Sequence, residues 1–215
     1  MLNMSTEKLA LVSWLYENDQ RSYQNPRKLQ KFLFFYELFS KVMGEQYEFG
    51  GFKVWLNGPV DSFVYGDYTY RQDYLVSAIK QADQKAVNQE IATKADFLVK
   101  ILNKEEISDL THDFDLWKKP AASENFADNN VKLNETYFSK EDELTAKELF
   151  FLYDEEMIKD STVLHVLGKH FVLSNGDVHK LSKENEIVLN QLATDDLLKN
   201  PVFVEVDEKG GLIID

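Results

Sequence analysis

Acid–base or metal chemistry in this chain would have to come from four histidines and thirty-seven carboxylates, because there is no cysteine. That absence removes disulfide frameworks, thiol nucleophiles, thiolate zinc sites and cysteine-ligated iron–sulfur clusters together. None of His112, His165, His170 and His179 stands in H-E-x-x-H or another spacing with a defined metal role. His165 and His170 are five residues apart, off a common helical face, and a site shared with His179 would need further partners to orient each ring. His112 reads either as a hydrogen-bonded helix-end residue or as an acid–base group. The chain has no G-x-S-x-G elbow, no Walker A lysine loop and no G-x-G-x-x-G turn. Gly44, Gly50, Gly51 and Gly58 are each accounted for by a cap or a turn, and the carboxylates are too numerous for one pair to stand out before burial is known. The expectation is a protein that is not an enzyme, with no catalytic residue, no cofactor and no metal ligand assigned.

Twenty-four Lys and Arg leave a formal charge of −13. A surface of that sign repels a phosphate backbone, so nucleic acid is not the expected ligand. Residues 1–70 hold 8 acids and 7 bases, 71–130 hold 11 and 8, and 131–215 hold 18 and 9. The run Glu141 to Asp160 has 8 acids and 2 bases. It is either a solvated face or a strip that steers a basic protein partner, with Glu141, Glu143, Glu148, Asp154 and Glu155 as the candidate contact residues. No apolar run approaches the roughly 18 residues that cross a bilayer, and the N-terminal residues lack the basic and apolar regions of a signal peptide. A cytoplasmic protein without a membrane segment is expected.

The elements that must position these groups follow from length and pattern. A chain of 215 residues, 44% hydrophobic, can bury one substantial core with an appendage. Residues 5–17 read as a helix capped by Ser5 or Thr6, with Leu9, Val12, Leu15 and Tyr16 at helical spacing. Asn25-Pro26 opens a second helix and Gly44 closes it. Its face Leu29, Phe32, Leu33, Tyr36, Phe39 and Met43 is widened by Phe34, Phe35 and Leu38 until it is apolar most of the way round, which marks a central helix. Lys28 and Lys31 sit at the unfavourable end of its dipole, as solvated lysines or as lysines with a paired or functional role. Phe52–Leu56 reads as a short strand, Asn57-Gly58-Pro59 as a turn, and Val60–Tyr65 as a short helix opened by Pro59. An aromatic loop with Tyr65, Tyr68, Tyr70 and Tyr74 comes next, suited to packing more than to stacking bases.

Further helices are expected from Arg71 with Tyr74, Leu75, Ala78, Ile79 and Ala82 on one face, from Thr93 capped in concert with Asp96, and through Ile107, Leu110 and Thr111 to His112. Residues 119–138, with Pro120, Ser123, Asn125, Asn129 and Asn130, read as a connection. Ser139 caps a helix expected to carry Ala146, Leu149, Phe150, Tyr153 and Met157. Beyond Ser161 the pattern predicts a hairpin turning at Asn175-Gly176 between Phe171–Leu173 and Val178–Leu181, a helix around Ile187–Ala193, and a terminal hairpin across Gly210-Gly211. The predicted fold is mainly α with short β elements (α+β): a compact helical domain, 1–160, with a strand/turn insertion, and a small α/β appendage, 161–215, containing hairpins.

Two stretches are more specific than their composition. Lys28-Leu29-Gln30-Lys31-Phe32-Leu33-Phe34-Phe35, followed by Phe52-Lys53-Val54-Trp55-Leu56-Asn57-Gly58-Pro59-Val60 and then Val64-Tyr65, resembles the signature of the Panacea domain, the SocA-like antitoxin family that also includes phage-associated proteins. Leu110-Thr111-His112 with Trp117 is similar to the family's later element. The resemblance covers about residues 5–120. Its motif positions are Lys28, Leu29, Lys31, Trp55, Gly58, Pro59, Val60, Tyr65, His112 and Trp117, expected to be mostly structural. Leu56-Asn57 departs from the basic or aromatic residue many relatives carry there, and 161–215 has no counterpart. The resemblance implies a helical domain that neutralises a cognate toxin by direct protein binding. The alternative is a phage or prophage protein that binds a host factor such as a defence component, or a protease in an adaptor role.

Overall fold

One helix has no outward face: thirteen consecutive residues, Lys28–Ser40, are buried. The computed structural model describes residues 1–122 and 131–215; Ser123, Asn125, Asn129 and Asn130 of the expected connection lie outside the described residues. Among the described residues 55% are helical and 14% strand, in twelve helices and two small sheets, an α+β fold as expected. The chain divides into two compact units, Met1–Val99 with Lys104–Leu152, and Lys100–Asn103 with Tyr153–Asp215.

In the first unit, α1 (Thr6–Asn18), α2 (Gln20–Gln24) and α3 (Pro26–Met43) follow one another with a side-chain cap at each start. Ser5 accepts from Lys8 N–H, Asp19 from Arg21 and Ser22 N–H, and Asn25 from Arg27 and Lys28 N–H, satisfying donors that a helix start leaves open. Gly44 ends α3 at φ 78°, the left-handed cap read from the sequence. The Phe34 ring of α3 meets Phe35, Phe49, Phe52 and Phe114 at centroid distances of 5.5 to 6.2 Å, mostly edge to face. A helix enclosed this way must neutralise its own charges. Glu37 does so by pairing with Lys8 of α1 and accepting from Glu48 N–H at 2.7 Å, while Lys8 Nζ also donates to the Glu48 carbonyl at 3.0 Å. Lys28 and Lys31, 6% and 0% exposed, are not solvated lysines.

β1 (Phe52–Trp55) and β2 (Gly58–Asp61) form an antiparallel hairpin in which Val54 faces Pro59 and Trp55 faces Gly58. This corrects the expected turn at Gly58-Pro59 and the helix over Val60–Tyr65. The turn is Leu56-Asn57, and a two-stranded ribbon tolerates Pro59 because no third strand needs its missing N–H. Asp61 then caps α4 (Ser62–Tyr70), accepting from Phe63 and Val64 N–H. The expected aromatic loop is therefore helical. Tyr65 packs on Trp55 and Tyr68 on Tyr23, whereas Tyr70 and Tyr74 are exposed.

α5 (Gln72–Ile79) buries Leu75 and Ile79, whereas Tyr74, expected on the same face, is exposed and Ala78 and Ala82 are half-buried. α6 (Gln89–Ile101) starts a turn before Thr93, because the Asn88 side chain accepts from Ile91 N–H and so extends the buried stripe back to Ile91 and Ala92. α7 (Glu106–His112), α8 (Asp115–Ala121), a 3-10 turn at Glu135–Tyr137 and α9 (Lys140–Phe151) complete the unit. Ser139 and Asp142 form the capping box of α9, and the same Asp142 accepts from Asp115 N–H at 2.7 Å and Leu116 N–H at 2.9 Å at the start of α8. One carboxylate thus holds two helix starts. Asp142→Ala is expected to lower unfolding free energy by about 2 kcal/mol, the loss of a cap plus buried donors left open. A change within experimental error in denaturant titration would show that water replaces the carboxylate.

α9 stops at Phe151 rather than reaching Met157, because Asp154 starts α10 (Glu155–Lys159) by accepting from Met157 N–H. The longer stretch of the second unit starts at Tyr153. Its sheet runs β3 (Ser161–Val166), β4 (Lys169–Ser174), β5 (Val202–Val206) and β6 (Leu212–Ile214) in that order, with β4 and β5 parallel and the other pairs antiparallel. The first hairpin turns at Leu167-Gly168, both with positive φ, not at Asn175-Gly176. Asn175 and Gly176 instead open α11 (Asn175–Val178), where Ser174 accepts from Asp177 N–H. α12 (Lys183–Leu192) lays Leu189 against Phe171, Leu173, Val202 and Val204 of the sheet, and the terminal hairpin is as expected.

Candidate functional site

The motif residues come from α3, the β1–β2 hairpin, α4, α7 and α8. Lys31 of α3 reaches the hairpin, its Nζ donating to the Pro59 carbonyl at 3.3 Å. Next to it lies Gly58 at φ 92°; a Cβ there would stand 2.2 Å from Thr111 Oγ1 and 2.5 Å from Lys31 Nζ. Trp117 of α8 donates from Nε1 to the Trp55 carbonyl at 3.1 Å, and Trp55 packs edge-on against Tyr65 at 4.8 Å. His112, at the end of α7, stacks on Trp117 at 3.8 Å. Lys31, Trp55, Gly58, Pro59, Tyr65, His112 and Trp117 are thus linked in one cluster. Leu29 lies in the core, Val60 and Lys28 are buried, and Gln30 accepts from Asp61 N–H at 2.7 Å, tying α3 to the hairpin a second time.

The cluster contains an electrostatic anomaly. Lys31 is fully buried, and among the described residues its ammonium has one acceptor, a neutral carbonyl, and no ion pair. Burial, followed by the charge of Arg27, brings it from 10.5 down to about 7. His112 is lowered by burial and then by Lys31, and its Nε2 is buried without a hydrogen-bond partner among the described residues. The acids that bear on it, Asp109 and Asp113, are exposed. His112 is therefore a stacked ring beside a cation, neither the hydrogen-bonded helix end nor a histidine set among buried acids. Trp117→Phe is expected to lose about 1 kcal/mol with the indole hydrogen bond. It should also let His112 titrate closer to an ordinary histidine, read from its imidazole proton shifts against pH; an unmoved titration would mean that Trp117 does not provide the burial.

The residues of the acidic strip are divided between the two units. Glu141, Glu143 and Glu148 are on α9, in the first unit, whereas Asp154 and Glu155 belong to the second. Three of the five are engaged locally: Glu143 pairs with Lys147 and Lys140, which hold it at about 2, Asp154 caps α10, and Glu155 pairs with Lys159. Exposed Glu141 and Glu148 remain. In the second unit, His165 and His170 meet across the β3–β4 hairpin with ring centroids 4.3 Å apart, while His179 is exposed at the end of α11. Among the described residues no group of three or more His, Asp or Glu is placed to hold a metal ion, and no helix is long and apolar enough to cross a membrane.

Comparison with protein families, curated proteins and solved structures gives no match, so the resemblance rests on the residues named above. Gln30 and Thr111 stand inside the quoted motif stretches, but their contacts with the hairpin depend on its register and were not read from them. Asp61, just after Val60, was missed although an Asp before a helical pattern is a legible signal.

Proposed function

We propose that this protein is a Panacea-like antitoxin that neutralises a cognate toxin by direct protein–protein contact in the cytoplasm. What supports the reading is the joining of motif residues from separate stretches of chain in one cluster around a buried lysine. A charge kept there against the stability of the fold points to a demand other than packing. Co-expression with the adjacent reading frame tests it. The expected result is toxicity of the neighbour alone, rescue by this protein, and co-purification of the two. A harmless neighbour and no complex would overturn it and direct the search to a host factor bound by a phage protein. Against a basic toxin, charge reversal at Glu141 and Glu148 is expected to slow association and flatten its salt dependence in stopped-flow measurements; an unchanged rate would remove α9 from the contact.

A further inference from the structure

A groove of about 390 Å³ opens in the first unit between the start of α1, the second half of α3, the segment 46–48 and Ala86-Val87. That volume lies in the range of clefts that take a ligand group, about 300–1,000 Å³. Ala10, Leu11 and Val87 give it a buried apolar wall. Tyr36 adds a buried ring fixed by its hydroxyl, which accepts from Asn88 N–H at 3.0 Å. Tyr47 stands at the side, its hydroxyl bonded to Lys41 Nζ at 2.6 Å and to Glu135 at 2.9 Å.

The charged residues that line this groove are all acidic, with Lys8 and Lys41 behind it. Glu7, Glu37 and Glu48 line it, and no lysine, arginine or histidine does. Glu37 is 4% exposed and held by Lys8 and by Glu48 N–H, so it forms a fixed wall. Glu7 and Glu48 are exposed and have no ion-pair partner among the described residues. Glu7 lies in the first turn of α1. Glu48 is near enough to Glu37 to repel it; burial first and Glu48 in addition keep Glu37 above the ordinary glutamate range in spite of Lys8. Two unpaired carboxylates over an apolar and aromatic wall form a receptor for a cation with an aliphatic stem.

We propose that this groove receives an arginine side chain presented by a protein partner. The stem lies along Ala10, Leu11 and Val87, and the guanidinium forks to Glu7 and Glu48. Arginine suits the arrangement because its planar group bonds two carboxylates at once and is less strongly hydrated than an ammonium. A protein source is favoured because Gln46, Glu48 and Ala86 are exposed beside the groove, where a partner's surface would cover them. The proposal rests on the reading of this protein as one that acts by protein contact, and it adds a docking point on α1 and α3 to the steering face on α9.

The test uses the full chain, isotopically labelled, titrated with N-acetyl-arginine N-methylamide, with the neutral citrulline analogue of the same shape, and with spermidine. The arginine compound should give saturable amide shifts at Ala10, Tyr47 and Val87, and the citrulline compound should give none. Glu7→Gln with Glu48→Gln, both exposed positions, should weaken binding by about tenfold or more, as expected for charge-assisted bonds. Glu17→Gln with Asp73→Asn, which removes the same charge from exposed positions elsewhere, should not. Equal shifts with citrulline, or binding that survives Glu7→Gln with Glu48→Gln, overturns the proposal; binding of spermidine without the arginine compound replaces it with a small polyamine site. The outcome separates from that of the co-expression test. Groove binding without a complex would retire toxin neutralisation alone, and a complex that forms without groove binding would retire the groove alone.

Discussion

Lys31→Met is expected to make the protein more stable at pH 6, by about 2–4 kcal/mol, the gain seen when a buried charge gives way to an apolar side chain of similar volume. The sign follows from the proton balance. Unfolded, Lys31 titrates at 10.5; folded, burial and then Arg27 bring it to about 7. Between those values the unfolded chain binds more protons, so native stability rises with pH across that window and is lowest, by this group, below pH 7. At about 1.4 kcal/mol for each tenfold change in proton affinity, the whole rise is on the order of 5 kcal/mol. Methionine removes it, less the bond to the Pro59 carbonyl. Denaturant titrations of both proteins from pH 6 to 10 should therefore show a stability gap that closes as pH rises. A variant less stable at pH 6 would mean that the ammonium has compensation not visible in its surroundings. If Lys31→Met also abolishes toxin neutralisation while adding stability, the lysine is kept for function.

Gly58→Ala acts at the same point in the opposite direction. The position has φ 92°, and a Cβ would fall 2.2 Å from Thr111 Oγ1 and 2.5 Å from Lys31 Nζ. Left-handed strain of about 1–2 kcal/mol adds to overpacking of about 1–3 kcal/mol, so a loss of about 2–5 kcal/mol is expected. The two contributions separate by experiment. In a Thr111→Ala background the collision with Oγ1 disappears while the backbone strain stays, so Gly58→Ala should cost less there than in the parent. Equal losses in both backgrounds would show that sterics against α7 are not what fixes a glycine at this turn.

The long helix α3 was legible because its signals are local: Asn25 and Pro26 at the start, Gly44 at the end, and an apolar pattern too wide for one face. The β3–β4 hairpin was not legible because its left-handed turn falls on Leu167, a residue that gives no turn signal, while the Asn175-Gly176 pair that does is used to open a helix. β2 was hidden by Pro59, which argues against a strand except in a ribbon without a third member. Of the candidate site, the motif residues could be named from their order and spacing, but not that they meet in one cluster. Their burial could not be read, because in a periodic pattern a lysine counts as polar whether it reaches water or, like Lys31, a carbonyl in the core. The acidic groove was beyond reach for a different reason: Glu7, Glu37 and Glu48 come from separate segments and meet only in the folded unit.

The enclosure of α3 also sets which parts of the chain move independently. Helical amides near a solvated face can exchange with water through small local openings, whereas Lys28–Ser40 offers no side that can loosen without displacing neighbours on all others. In deuterated solvent this stretch should be the last of the first unit to exchange, at a rate set by unfolding of the unit as a whole. Lys31 and Glu37 lie inside that slowest segment. A partner that docks on α1 and α3 would therefore meet a surface that is already in its final shape.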